Sequence, residues 1–184
     1  MVKVDTSESK AEGGGGSVEA GEYHWTIEEV SVETFDGVQS LKVVSTVEAG
    51  NPASQVGHKH TEFFNLSGKA VDRLRRLLVA TQIMTDEQWV ANIGKPLDFD
   101  EMLLKSRQYC ARVKVEPYQG KKPEHQGKSF PRIGFDIWSI WDEKAKHIPK
   151  NAAVTPLMGR PAGEVATAPA AAKPATAPQS NFKW

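Results

Sequence analysis

The chain has 184 residues, with 23 Lys and Arg against 23 Asp and Glu, a hydrophobic fraction of 39% and one cysteine. That length predicts one ordinary domain plus extensions. A single cysteine, Cys110, excludes an internal disulfide framework. With no run of about 18 apolar residues and a polar start without a secretory apolar core, it predicts a reducing, cytoplasmic setting.

Residues 1–21 are rich in Ser, Glu, Lys and Gly, with four consecutive glycines at Gly13–Gly16. They cannot bury apolar surface, which predicts a disordered tail. Residues 22–149 carry near-normal apolar content and are the predicted domain. In Tyr23-His24-Trp25-Thr26-Ile27 apolar and polar residues alternate, the period of a strand, and a phase shift near Glu28-Glu29 predicts a bulge. Asp36-Gly37 is a hairpin signal. A second strand is predicted from Gln39 to Glu48, a break at Gly50-Asn51-Pro52, and a third strand from Gln55 to Leu66.

The period then changes. Val71, Leu74, Leu77, Leu78 and Ile83 recur at threes and fours, predicting an amphipathic helix over Lys69–Ile83 with Ser67 as its cap. Thr85 and Gln88 have capping-box spacing before Trp89, and Asp98 to Glu101 has similar spacing before Met102, Leu103 and Leu104, so two more short helices are predicted. Strands return over Gln108–Tyr118 and Phe130–Trp141, around a loop holding Gly120, Lys121, Lys122, Pro123, Gly127 and Lys128. Residues 150–184 are rich in Ala, Pro and Thr, predicting a second disordered tail, which ends unusually in Asn181-Phe182-Lys183-Trp184.

Three strands, a helical region and two strands is the order of a five-stranded OB-like barrel with a helical insertion between strands three and four. The expected class is therefore mainly β. The stretch from Gly21 to Trp141, about two thirds of the chain, also carries Gly21-Glu22-Tyr23, the Gly50 break and Phe63-Phe64-Asn65-Leu66 leading into the helix. It further carries the late hairpin Val113-Lys114-Val115-Glu116-Pro117-Tyr118-Gln119-Gly120-Lys121. In these features it resembles a family of small phage-encoded proteins of replication and recombination modules. That resemblance implies single-stranded-DNA binding or a recombination-accessory role in the host cytoplasm. The tail with its aromatic tip is similar to those of single-stranded-DNA-binding proteins, although only Glu164 supplies acidic character here. Through Phe182 and Trp184 it is a candidate for docking replication or recombination proteins.

Binding unpaired nucleic acid takes cations that follow the phosphates and flat rings that stack on the bases. Between Lys105 and Lys150 there are 11 Lys and Arg against 5 Asp and Glu, which points to a polyanion-facing side or to a solvated lysine-rich surface. The candidates are Arg112, Lys114, Lys121, Lys122, Lys128 and Arg132, interleaved with Tyr118, Phe130 and Trp138. Lys42 and Lys59 on strands two and three extend the same surface. A structural role competes, in which Tyr118 and Phe130 clamp the hairpin base as a cross-strand pair. A protein–protein adaptor, with the β domain as scaffold for the tail tip, is the alternative function.

Catalytic signals are weak. His58, His60 and Glu62 alternate along a strand as zinc ligands can, with Cys110, His125 or His147 as further candidates, but no CxxC or HExxH spacing supports a metal. A lone strand cysteine reads as a small buried hydrophobe. Asp98 and Asp100 read as helix caps. No phosphate-cradling glycine motif occurs. The chain is read as a binding protein, not an enzyme, with no cofactor.

Overall fold

A computed structural model describes residues 18–35, 37–68, 71–95, 99–119 and 123–157. Most of both predicted tails, with Phe182 and Trp184, lies outside these residues, as do Lys121, Lys122 and Asp98. The elements are β1 (Gly21–Phe35), β2 (Val38–Asn51), β3 (Lys59–Asn65), α1 (Val71–Ala80), α2 (Asp86–Ala91), β4 (Gln108–Pro117) and β5 (Ser129–Trp138). The fold is mainly β, and its strands form one five-stranded antiparallel sheet in the order β3-β2-β1-β4-β5.

The phase shift in the first strand is a real bulge. Ile27 pairs with Ser45 and Glu29 with Val44, so Glu28 has no cross-strand partner, and a second irregularity falls between His24 and Trp25. β1 pairs with β2 from Glu22 to Phe35 around this bulge, and with β4 along Gly21–Thr26. At the hairpin, Phe35 pairs with Val38 and Gly37 adopts φ +78°, where a glycine avoids the Cβ clash.

One sheet face is the core. Tyr23, Trp25 and Ile27 of β1, Leu41, Val43 and Val47 of β2, Phe64 of β3, and Tyr109, Ala111 and Val113 of β4 are buried with Ile133 and Ile137 of β5. Leu74, Leu77 and Leu78 of α1 cover them, and α1 packs on β3, β4 and β5. Trp25 stacks on Tyr109 at 6.3 Å, and the Tyr109 hydroxyl donates to Ser45 Oγ at 3.1 Å.

The helical region is shorter and more broken than its apolar spacing predicts. α1 stops at Ala80 because Gln82 turns left-handed at φ 58°. Gln82 N–H then donates to Val79 O and Ile83 N–H to Leu78 O, the paired bonds of a Schellman stop. α2 begins on the expected capping box of Thr85 and Gln88. The third predicted helix is only a 3-10 turn, Glu101–Leu104, capped by Asp100. It ends where Ser106, left-handed at φ 65°, donates its N–H to Ile27 O and delivers the chain to β4.

The described residues continue on either side of the expected domain, to 18 and to 157. Val18, placed in the N-terminal tail by composition, is buried. After β5, residues 139–157 fold back over the outer face of β1 and β4. Ile140, Ala145 and Ile148 enclose Cys110 there, with Trp138 and Trp141 alongside. Asn151 N–H donates to Nδ1 of the buried His24, and Gln108 Nε2 donates to Val154 O. Backbone groups latch this strap, which is why its Ala- and Pro-containing composition conceals it. No helix among the described residues is long and apolar enough to cross a membrane.

Candidate nucleic-acid interface

β3 and β5 are the two edges of the sheet, and they are not neighbours in the hydrogen-bonded order. The Glu62 side chain spans the seam between them. The Glu62 carboxylate of β3 accepts from the Ile133 N–H of β5 at 2.7 Å, pairs with Arg73 of α1 at 2.9 Å and meets Arg132 Nε at 3.2 Å. His60 Nε2 lies 3.4 Å away. Arg73 also donates to Ile133 O and sits over the Phe64 ring. Burial alone would push the Glu62 carboxyl up, but His60, Arg73, Arg132 and the Ile133 N–H outweigh it and hold the group at about 2. An inward-pointing charge at an edge strand also opposes edge-to-edge association.

Outside this bridge lies a cleft of about 360 Å³, lined by Thr61 and Phe63 from β3 and by Phe130, Pro131 and Arg132 from β5. Phe130 and Arg132 also line an adjoining hollow with Glu116, Pro117, Tyr118 and Gln119. Tyr118, His125 and Phe130 meet edge to face, with ring centroids 5.2, 5.3 and 5.9 Å apart. The Tyr118 N–H donates to Lys128 O at the hairpin base. Tyr118 and Phe130 thus do clamp the hairpin, and Phe130 takes part in the cleft as well.

The structure divides the remaining candidates. Arg132 is half-exposed at the cleft. Lys128 is exposed at the hairpin, with no ion pair among the described residues. Lys42 pairs with Glu33 at 2.9 Å and Lys59 with Glu28 at 2.5 Å. Arg112 pairs with Glu22 at 2.6 Å, and Lys114 with Asp136 at 3.1 Å. Such solvent-screened pairs hold their lysines and arginines weakly, so a phosphate has little to displace. Trp138 stands apart from the group. It pairs with Cys110 whereas Phe130 pairs with Glu116, which puts their cross-strand partners about 20 Å apart along β4, and it packs against the cluster around Cys110.

Phe63 is the ring that sequence reading did not assign to the site. In Phe63-Phe64 one ring must face in and one out, and the burial of Phe64 sends Phe63 to the outer face. It pairs directly opposite Lys42 there, and Lys59 has the same parity. The available signal was parity with Lys59. Glu62, weighed only as a metal ligand, is the seam's bridge.

Among the described residues, no three His, Cys, Asp or Glu side chains are grouped to hold a metal ion. His60 is engaged with Glu62 and the Trp25 ring. The Cys110 thiol is buried, and burial pushes it up to about 12, far from a nucleophilic thiolate. No protein-family model and no curated protein matches this chain.

Proposed function

We propose that the protein binds single-stranded DNA without strong sequence selectivity, as an accessory of phage DNA replication or recombination in the host cytoplasm. The observation that carries this reading is the convergence of Phe63, Phe130, Tyr118 and Arg132 on one concave surface, beside the exposed Lys128. Rings supply sequence-tolerant stacking and cations follow the backbone. The strand order, with helices between β3 and β4, fits an OB-like barrel whose last seam is bridged by the Glu62 side chain instead of a ladder. The role is binding, with no catalytic step and no cofactor.

Fluorescence anisotropy of labelled single-stranded and duplex oligonucleotides at two salt concentrations tests it. Single-strand binding that weakens with salt, and drops at least tenfold when Lys121, Lys122 and Lys128 are changed to Glu, is the expected result. Absence of binding at low salt refutes the reading.

A second reading, a protein–protein adaptor, is favoured by a separate apolar surface. A groove between α1, α2 and the β1–β2 hairpin is lined by Leu66, Val71, Trp89, Phe99 and Ile93, the last 67% exposed, and Val90 of α2 is 58% exposed. Such patches mark contact sites. In this reading Phe182 and Trp184 add a second anchor. Loss of a co-purifying partner on trimming Asn181–Trp184 separates it from the first.

A further inference from the structure

We infer that the cleft between β3 and β5 is a base-stacking site, in which one unpaired nucleobase of single-stranded DNA lies against Phe63 and Phe130 while Arg132 meets the neighbouring phosphate. This rests on the single-stranded-DNA reading and adds to it a location, a stoichiometry of one base, and an aromatic residue on β3.

Size and shape come first. About 360 Å³ is at the lower end of small-ligand pockets, which run from about 300 to 1,000 Å³, and suits one flat ring better than a folded peptide segment. Its two aromatic walls come from different strands, Phe63 from β3 and Phe130 from β5. Both are partly exposed, so a ring entering the cleft meets π-faces already held by the sheet.

Charge comes second. Glu62 carries one negative charge at the cleft floor and faces two guanidinium groups, Arg73 at 2.9 Å and Arg132 at 3.2 Å. Arg73 is largely buried at 14% side-chain exposure, whereas Arg132 is 50% exposed. The surplus positive charge therefore appears at the mouth. Arg132 meets Glu62 through Nε at 3.2 Å, and Glu62 is its one carboxylate partner among the described residues. A half-exposed guanidinium anchored by Nε suits a phosphate oxygen. Lys42, directly across from Phe63, and Lys59 lie on the same face along β2 and β3, each beside a carboxylate, Glu33 and Glu28.

The test uses the full chain and short oligo(dT) probes, one intact and one with abasic sites through its centre. Phe63→Leu keeps apolar bulk and removes the ring, and Phe63→Ala removes both. Each is expected to weaken intact oligo(dT) binding about 5- to 150-fold, the range for one lost stack. On the abasic probe, variants and unchanged protein converge, because no base remains to stack. Arg132→Ala is expected to flatten the dependence of log K on log salt by about 0.7, one single-strand phosphate contact. Thermal unfolding of Phe63→Leu at the unchanged temperature shows that the fold is intact. If the unchanged protein binds oligo(dT) and Phe63→Leu binds equally well, or loses equally on both probes, the base site is wrong while the DNA reading stands. If the unchanged protein binds neither probe at low salt, the DNA reading fails and this site fails with it.

Discussion

Replacing Glu62 by Gln isolates the charge that bridges the seam. The side chain keeps its shape, and its amide oxygen can still accept the Ile133 N–H. The carboxylate that pairs with Arg73 at 2.9 Å is lost. Removing one partner of a buried pair costs about 3–5 kcal/mol, because the other charge stays desolvated and unpaired; Arg132, half in water, adds little. Proton linkage gives an independent figure. The carboxyl sits at about 2 in the fold against an ordinary 4.5, and a gap of this size corresponds to stability on the order of 3 kcal/mol. A depressed carboxylate contributes in full above its unfolded value and loses that contribution as pH falls through its folded value. The extra stability of the unchanged protein over Glu62→Gln is therefore present at pH 7, declines below pH about 4.5 and is gone near pH 2. Urea unfolding of both proteins at intervals from pH 7 to pH 2 measures it. Curves that run parallel down to pH 2, or a neutral-pH difference below about 1 kcal/mol, refute the bridge as a stabilising element.

Two further predictions concern the strap and one close approach. Ile148→Ala removes a buried anchor of residues 139–157 at a local cost of about 2–5 kcal/mol. Cys110 is expected to react with a thiol reagent at least about 30-fold faster if labelling follows opening; an unchanged rate refutes the strap as its cover. Gly50→Ala puts a Cβ 2.4 Å from the Tyr23 ring and 2.6 Å from Glu22 O, so β1 and β2 must part. A loss of about 1–3 kcal/mol is expected on urea unfolding, whereas Gly134→Ala meets nothing within 4 Å and is expected to stay within about 0.5 kcal/mol. Equal effects of the two substitutions refute the steric account.

Several features of the fold were legible because their causes are local. Alternation in Tyr23–Ile27 and Gln108–Val113 depends only on successive residues facing opposite ways, and those strands form with Tyr23, Trp25, Tyr109, Ala111 and Val113 buried. The bulge at Glu28 is a slip in the same period. The Thr85–Gln88 box closes within one helical turn. Helix length was less legible, since the spacing of Leu74, Leu77, Leu78 and Ile83 does not reveal that Gln82 turns left-handed.

The candidate site was legible only in residue type. Basic and aromatic residues in the late hairpin are visible in the sequence, and Tyr118, Phe130 and Arg132 do meet at one end of it. Period two says which residues share a face; it does not say which strand edges approach. Glu62 and Ile133 are 71 positions apart, and nothing local to either foretells their bond. The same limit separates Trp138 from Phe130, which lie on one strand but at opposite ends of its pairing with β4. It also conceals that Lys42, Lys59, Arg112 and Lys114 already have carboxylates beside them. Sequence by itself determined the strands, the main hairpins and the capped turn, because neighbouring residues enforce them. Tertiary structure alone decided that a charged side chain bridges β3 and β5, that Phe63 faces the cleft they form, and that a strap seals Cys110, because each depends on chain segments far apart in sequence coming into contact.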